Sequence, residues 1–286
     1  MSSLPSTNSN SPWSGAASKP RSALRQAWCY ATYPPTRHKR RSADQPGTSL
    51  IPWITRGARF PSPNTALVDP DGLLCTGGDL RPATIVAAYS QGIFPWFSEG
   101  QPILWWTPDP RMVLFPEEFK LSRSLAKTIR QQKFEVTFNV AFRRVIENCA
   151  APREPGGGTW IVKQIQDAYT LLHNQGFAHS VESWAGNELV GGLYGVAIGQ
   201  VFFGESMFTR KTDASKVAFA TLVDKLIRDG FQLIDCQQQT RHLASFGARP
   251  IPRAEFLQRL AELINSSELD DHRSAWKPCL ATTPTF

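Results

Sequence analysis

From residue 59 onward, the apolar positions predict a series of elements. Pro82 followed by Ile85, Val86 and Tyr89 and closed by Gly92 predicts a short helix, with proline in the first turn, where its missing N–H costs nothing. Ser122 is placed to cap a helix reaching about Gln131, and Asn139 one reaching about Ala150. Thr159 is placed to cap a third, running to His173 and stopped by Gly176. Strands follow near 177–184, 188–198 and 201–206, joined at Gly186-Asn187 and Gly199-Gln200. Glycine in the first turn position suits a type II′ hairpin, so the three strands form an antiparallel meander. A long helix over 214–229, ending at Gly230, leads to a buried strand at 231–236 and a last helix near 253–264. Strands flanked by helices around such a meander indicate an α+β fold, and no internal repeat is visible.

The chain before this has no such period. Residues 1–56 are rich in Ser, Pro, Thr and Arg and hold too little apolar area to offset chain entropy, which predicts disorder. An acid-poor, Arg/Ser-rich segment resembles an organelle transit peptide, but the favoured reading is a bacterial extension or a misplaced start. No 7–15-residue apolar core of a secretory signal is present. Phe60-Pro61-Ser62-Pro63, Phe94-Pro95-Trp96-Phe97 and Leu104-Trp105-Trp106 read as loops of a small domain. The predicted organisation is a basic extension over 1–58, a small N-terminal domain over 59–110 and a larger domain over 111–280.

Composition narrows the class. Of 286 residues 41% are hydrophobic, enough for a sizeable core, yet no apolar run approaches a membrane span. Five cysteines without CxxC spacing argue against a disulfide scaffold or structural zinc and fit a reducing compartment. The net charge of +7 lies wholly in the tail, where Lys19, Arg21, Arg25, Arg37, Lys39, Arg40, Arg41 and Arg56 face Asp44 alone. The body from 59 on is neutral, so the basic isoelectric point says nothing about nucleic acid binding there.

Several residues stand out chemically. Glu205 lies among Phe202, Phe203, Met207 and Phe208, where a lone carboxylate is costly unless paired. It is either solvated, paired with a structural Arg, or a receptor for a cationic ligand group. Gly204 before it suits a bulge that re-aims it. Asp235 and Gln237, two apart after Phe231, Leu233 and Ile234, share one side of an extended segment and suit substrate orientation or a capping role. His242 just beyond reads as structural. Arg123, Lys127 and Arg130 share one helix face, and 111–144 holds eight basic residues against Glu117, Glu118 and Glu135, which suggests phosphate contact. Trp96, Trp105, Trp106 and Trp160 serve either as core or as stacking surfaces for bases. Arg153-Glu154-Pro155-Gly156-Gly157-Gly158 formally fits the R-x-x-G-x-G pyrophosphate loop of N-acetyltransferases, although a helix rather than a strand precedes it. His173 and His179 lack metal-ligand spacing, so no metal is expected.

Together these stretches resemble the bacterial leucyl/phenylalanyl-tRNA–protein transferases. The resemblance is carried by Gly77-Gly78-Asp79-Leu80, Gly92-Ile93-Phe94-Pro95-Trp96-Phe97, Trp105-Trp106-x-Pro108-Asp109-Pro110-Arg111 and Thr159-Trp160-Ile161. It continues through His179-Ser180-Val181-Glu182, Leu189-Val190-Gly191-Gly192-Leu193-Tyr194, Gly204-Glu205-Ser206-Met207-Phe208, Ala214-Ser215-Lys216 and Leu233-Ile234-Asp235-Cys236-Gln237. It implies a small N-terminal domain and an N-acetyltransferase-like catalytic domain. The implied activity moves Leu or Phe, Met less well, from aminoacyl-tRNA to proteins beginning with Arg or Lys. The product enters the cytoplasmic N-end rule pathway of degradation. The resemblance assigns Asp235 and Gln237 to catalysis, Glu205 to the acceptor's basic side chain, and Trp96 and Trp160 to the terminal adenosine. Phe202, Leu193 and Ile234 match the aminoacyl pocket; the basic helix face of Arg123, Lys127 and Arg130, read from spacing and charge, is then the expected tRNA contact. A monomer without cofactor or membrane attachment is implied. The alternatives are an acetyl-CoA-dependent N-acetyltransferase and a non-catalytic tRNA-binding module.

The chemistry is compatible with so spare a site. An aminoacyl ester is already activated, and an α-amine of pKa ~7.7–8 is partly neutral at pH 7. A carboxylate and an amide that orient the amine then suffice, with Asp235 electrostatic and Gln237 too weak to be a base.

Overall fold

The computed structural model describes residues 51–152, 159–264 and 276–284, all within a compact unit spanning Gln45–Phe286. Residues 1–50 of the expected tail and the glycine loop at 153–158 lie outside the described residues. The first elements are β1 (Trp53–Ile54), β2 (Leu73–Gly77), α1 (Pro82–Tyr89), β3 (Phe94–Pro95) and β4 (Leu104–Trp106). Their strands form a four-stranded sheet in the order β1-β2-β4-β3. Among the described residues β1 at Trp53–Ile54 already lies inside the segment expected to lack regular structure, and the Trp-rich stretches read as loops carry strands. These strands are two and three residues long, too short for any alternation to show. Indole donors hold them: Trp105 Nε1 to the Gly77 carbonyl at 2.9 Å and Trp106 Nε1 to the Trp96 carbonyl at 2.7 Å.

Then come β5 (Arg111–Leu114), α2 (Arg123–Arg130), β6 (Glu135–Phe138), α3 (Phe142–Ala150), α4 (Lys163–Asn174), β7 (Ala178–Ala185), β8 (Glu188–Ile198) and β9 (Val201–Thr209). The chain closes with α5 (Ala214–Arg228), β10 (Leu233–Gln237), α6 (Arg241–Ala244), β11 (Arg249–Ile251), α7 (Arg253–Ile264) and β12 (Cys279–Leu280). The larger sheet runs β11-β5-β10-β9-β8-β7-β6-β12. β7, β8 and β9 are the expected antiparallel meander, and Gly199 takes the positive φ of 57° that its tight turn demands. β10 returns parallel to β9 through α5. The fold is α+β.

Alternation along the strands divides the interior into two layers. Val113, Tyr194, Val196, Phe203 and Leu233 face one side, packed with Ile85 and Tyr89 of α1, Val145 of α3, Ile165 and Tyr169 of α4 and Phe256 of α7. Met112, Leu114, Leu193, Phe202 and Ile234 face the other, against Leu125 of α2, Leu222 and Leu226 of α5 and Trp276. Each large apolar side chain so buried stabilises the fold by roughly 1.5–3 kcal/mol.

Two helix starts differ from expectation. Ser122 does cap α2, accepting from the Leu125 N–H at 3.2 Å. Asn139 does not cap α3. It sits at φ 60°, where its side chain accepts from the Ser180 N–H at 2.9 Å and donates to the Trp276 carbonyl at 2.7 Å. The N–H of Ala141 instead donates to Glu182 at 3.3 Å, a buried carboxyl that burial pushes above its ordinary range. Thr159 accepts from the Ile161 N–H at 3.1 Å, in a turn that precedes α4.

Candidate active site

The site forms where β9 and β10 separate. Their parallel pairing ends with Asp235 opposite Phe203. Just beyond, each strand is bulged. On β9, Gly204 pairs with Gly195 and Ser206 with Tyr194, leaving Glu205 as the extra residue. On β10, Asp235 pairs with Val113 and Gln237 with Met112, leaving Cys236 over. A bulge bends its strand and turns a side chain out of the alternating pattern. Two side by side aim Glu205 and Gln237 at each other across the fork, and Gln237 Nε2 donates to Glu205 Oε1 at 2.8 Å.

Glu205 has no cationic partner among the described residues; its neighbours are neutral donors. The Tyr89 hydroxyl donates to the same Oε1 at 2.5 Å, and the Tyr169 hydroxyl bonds both Tyr89 and the carboxyl. Burial raises the carboxyl to about 8, against these three hydrogen bonds and helped by the nearby Asp235 charge. The Tyr89 and Tyr169 hydroxyls are themselves pushed well above the ordinary tyrosine range, first by burial and then by the Glu205 charge.

Asp235 is treated in the opposite way. It is fully buried and paired with equally buried Arg111, Nε to Oδ1 at 2.8 Å and Nη2 to Oδ2 at 2.7 Å. The guanidinium lies between two rings, 4.8 Å from the Phe94 centroid and 4.7 Å from that of Phe256. Its Nη1 is buried without a hydrogen-bond partner among the described residues, at a cost of about 1–3 kcal/mol. Asp235 Oδ1 also accepts from the Gln237 N–H at 2.8 Å. Gln237 has φ 59°, a left-handed conformation costing a non-glycine residue about 1–2 kcal/mol unless its surroundings impose it.

The other expected residues sit around this centre. Leu193, Phe202 and Ile234 come together in the second core layer, so Ile234 and Asp235, neighbours in sequence, serve opposite faces of the sheet. Trp96 and Trp160 are partly buried against the first layer, and Trp96 meets Trp106 edge-on at 5.6 Å. Arg123, Lys127 and Arg130 are exposed on α2. No salt bridge among the described residues engages them, whereas Arg143, Lys163, Lys211, Lys225, Arg228 and Arg259 all have acids. His242 lies edge-on to Phe246 at 4.9 Å, a structural contact. Sequence reasoning gave no site role to Arg111, Tyr89 or Tyr169. The usable signal was that a charge or hydroxyl inside an apolar run needs a partner once buried.

Among the described residues no group of three His, Cys, Asp or Glu side chains offers a metal site, and no helix is long and apolar enough to cross a membrane. The sheet fork therefore presents organic functional groups: a carboxyl without a cation, an amide held against it, and a buried ion pair behind.

The sequence matches two family profiles in succession. Residues 78–109 match the leucyl/phenylalanyl-tRNA protein transferase N-terminal domain, and residues 113–261 the leucyl/phenylalanyl-tRNA protein transferase itself. A leucyl/phenylalanyl-tRNA–protein transferase of Nitrosospira multiformis is 59% identical over 219 residues, 77% of this chain and 94% of that one. One from Aromatoleum aromaticum is 58% identical over 216 residues, 76% of this chain and 91% of that one. One from Stutzerimonas stutzeri is 56% identical over 226 residues, covering 79% of this chain and all of the relative. The fork, its two bulged strands and the residues they carry all lie within the matched region, and the chain belongs to the leucyl/phenylalanyl-tRNA protein transferase family.

Proposed function

We propose that this protein transfers Leu or Phe, and Met less well, from aminoacyl-tRNA to the α-amino group of proteins beginning with Arg or Lys, marking them for N-end rule degradation in the cytoplasm. The observation that carries this reading is Glu205: a carboxyl at the fork, surrounded by neutral donors and, among the described residues, lacking the cation that an acceptor's first side chain would bring. Cationic side chains entering a desolvated site need such a partner. Trp96 and Trp160 hold the terminal adenosine, Leu193, Phe202 and Ile234 receive the aminoacyl side chain, and Arg123, Lys127 and Arg130 meet tRNA phosphates. The protein works as a monomer, with residues 59–110 as a small domain ahead of the catalytic one at 111–280.

In the reaction, the neutral α-amine attacks the ester carbonyl carbon. A C–N bond forms, the bond to the terminal ribose oxygen breaks, and the amine proton ends on that oxygen. Gln237 spends its Nε2 on Glu205, which leaves its Oε1 to accept an N–H of the amine. Orientation is its contribution, since an amide is too weak a base to remove the proton. The activated ester supplies the driving force, so the reading requires no cofactor.

The test is to offer the protein Leu-tRNA or acetyl-CoA together with an Arg-starting peptide and identify the adduct by mass. A leucyl peptide is expected. An acetyl peptide, or no adduct with tRNA bound, overturns the assignment.

A further inference from the structure

We propose that Arg111 is a positioning residue for the transfer reaction: held between Phe94 and Phe256, it fixes Asp235, and Asp235 holds Gln237 in the left-handed backbone conformation that aims its side chain at Glu205. The inference rests on the function proposed above and names a residue outside its substrate-contacting set.

Four observations carry it. First, Asp235 is wholly buried and spends Oδ1 on both Arg111 Nε and the Gln237 N–H, and Oδ2 on Arg111 Nη2. It acts on a substrate only through what it holds, and the element it holds beyond Arg111 is the backbone of Gln237. Second, Gln237 occupies a conformation that side-chain-bearing residues avoid, directly after a bulge, so an external hold is needed there. Third, a buried ion pair is a poor stabiliser, since apolar residues of equal volume often serve the fold as well or better. What a two-pronged guanidinium adds is the plane and direction of the carboxylate. Fourth, the guanidinium is itself immobilised. β5 pairs with β10 on one side and β11 on the other, and the guanidinium carbon packs over a ring from β3 at 4.8 Å and one from α7 at 4.7 Å. The chain of contacts therefore links the small sheet and the last helix to the amide at the fork.

Arg111→Lys keeps the positive charge but cannot bind both carboxylate oxygens in fixed geometry. In steady-state transfer with charged tRNA and an Arg-starting peptide, it is expected to lower kcat roughly ten- to a hundredfold, with the KM for charged tRNA within about threefold of wild type. The pH midpoint of kcat should stay in place, because the acceptor amine still titrates as before. In Arg111→Gly, added guanidinium ion should restore part of kcat while leaving wild type unaffected. Full activity in Arg111→Lys, a loss expressed wholly in KM, or a folded Arg111→Gly that guanidinium does not rescue each overturns the proposal. A crystal structure of Arg111→Lys decides the matter even if wild type transfers nothing, an outcome that would sink the proposed function instead. A Gln237 that loses its left-handed φ or its bond to Glu205 supports the positioning role, and an unchanged Gln237 refutes it.

Discussion

The ends of β9 and β10 lie side by side, and each carries a carboxyl that the fold handles differently. Asp235, on β10, is sealed in with an arginine that satisfies it from two sides. Among the described residues Glu205, on β9, meets only hydroxyls and an amide, and burial leaves it at about 8. The first arrangement is closed: its charges balance without a ligand and both carboxylate oxygens are bonded, with Arg111 Nη1 the one atom of the pair left without a hydrogen-bond partner among the described residues. The second is open, because its missing term is a positive charge from outside. A site that joins a closed pair to an open one can separate two tasks, holding the amide steady and admitting a cationic chain end.

Breaking the closed half should have the largest effect. Asp235→Asn removes the charge opposite Arg111 and turns an amide N–H₂ toward a guanidinium that also donates. Leaving one buried charge unpaired costs about 3–5 kcal/mol, so the variant should unfold at a clearly lower temperature. Transfer to every acceptor should fall on the order of a thousandfold, equivalent to about 4 kcal/mol, because the amine it helps to place is common to all of them. Loss confined to Arg- and Lys-starting acceptors would contradict this, and peptide panels measured by kcat/KM make the distinction.

Breaking the open half should instead change selectivity. Glu205→Gln keeps the shape and can still accept from Tyr89 and Gln237. A charge-assisted hydrogen bond is worth about 1.5–3 kcal/mol, so kcat/KM for Arg- and Lys-starting peptides should fall roughly ten- to a hundredfold. Neutral N-termini should lose much less. An equal loss on all acceptors, with the fold intact, would move Glu205 into the chemistry common to them.

The two halves were not equally legible in the sequence. The bulge at Gly204 follows from a local pattern, because glycine acts over short range; the two-residue spacing expected to put Asp235 and Gln237 on one side of a strand does not hold, because Cys236 is left over in a second bulge and Gln237 turns to φ 59°. The partners follow from no local pattern. Arg111 and Asp235 are 124 residues apart, and Tyr89 and Glu205 are 116 apart. No periodicity connects them; only the strand order brings β5 beside β10 and α1 over β9. Local rules failed in the same way at Asn139, a good capping residue by type. A tertiary contact to Ser180 and Trp276 claims its side chain, and the capping acceptor comes from Glu182 on another strand. Helices whose signals are internal, such as α2 with Ser122 and α1 with Pro82, came out as expected.

The open carboxyl also makes a thermodynamic prediction, smaller than the kinetic ones. Its folded value of about 8 lies above the ordinary 4.5, so the native state binds a proton more tightly than the unfolded chain does. Stability from this group is complete below about pH 4.5 and declines as pH rises through the interval up to about 8. Glu205→Gln removes that decline. It should match wild type in melting temperature near pH 4 and exceed it by several degrees at pH 9, a gain on the order of a few kcal/mol. A constant difference across that range would mean that the carboxyl does not titrate as described. The same linkage applies to binding: an incoming guanidinium favours the carboxylate, so close to one proton should leave per Arg-starting peptide bound at pH 7. Calorimetry in buffers of different ionisation enthalpy reads this number, and a value near zero would mean that the site is already ionised when empty.

The smallest effect belongs to α2, where the same contrast between satisfied and unsatisfied charge recurs on the surface. Arg123, Lys127 and Arg130 project from one exposed face with no acid engaging them among the described residues, while Lys163 of α4 and Lys225 of α5 are each tied to an acid four residues on. Cations left without partners cost the fold little in water and remain available for phosphates. Replacing all three with Gln should leave melting temperature nearly unchanged, raise the KM for charged tRNA several-fold, and flatten the dependence of that KM on salt. Each phosphate contact removed lowers the slope of log affinity against log salt by roughly 0.7–0.9. The acceptor KM should not move, because the fork is untouched. A minimal aminoacyl-adenosine donor provides the sharper comparison, since it carries the reacting ester without the tRNA backbone. If the triple variant uses that donor as poorly as it uses full tRNA, α2 influences the fork itself, and its free cations are not a phosphate-binding surface.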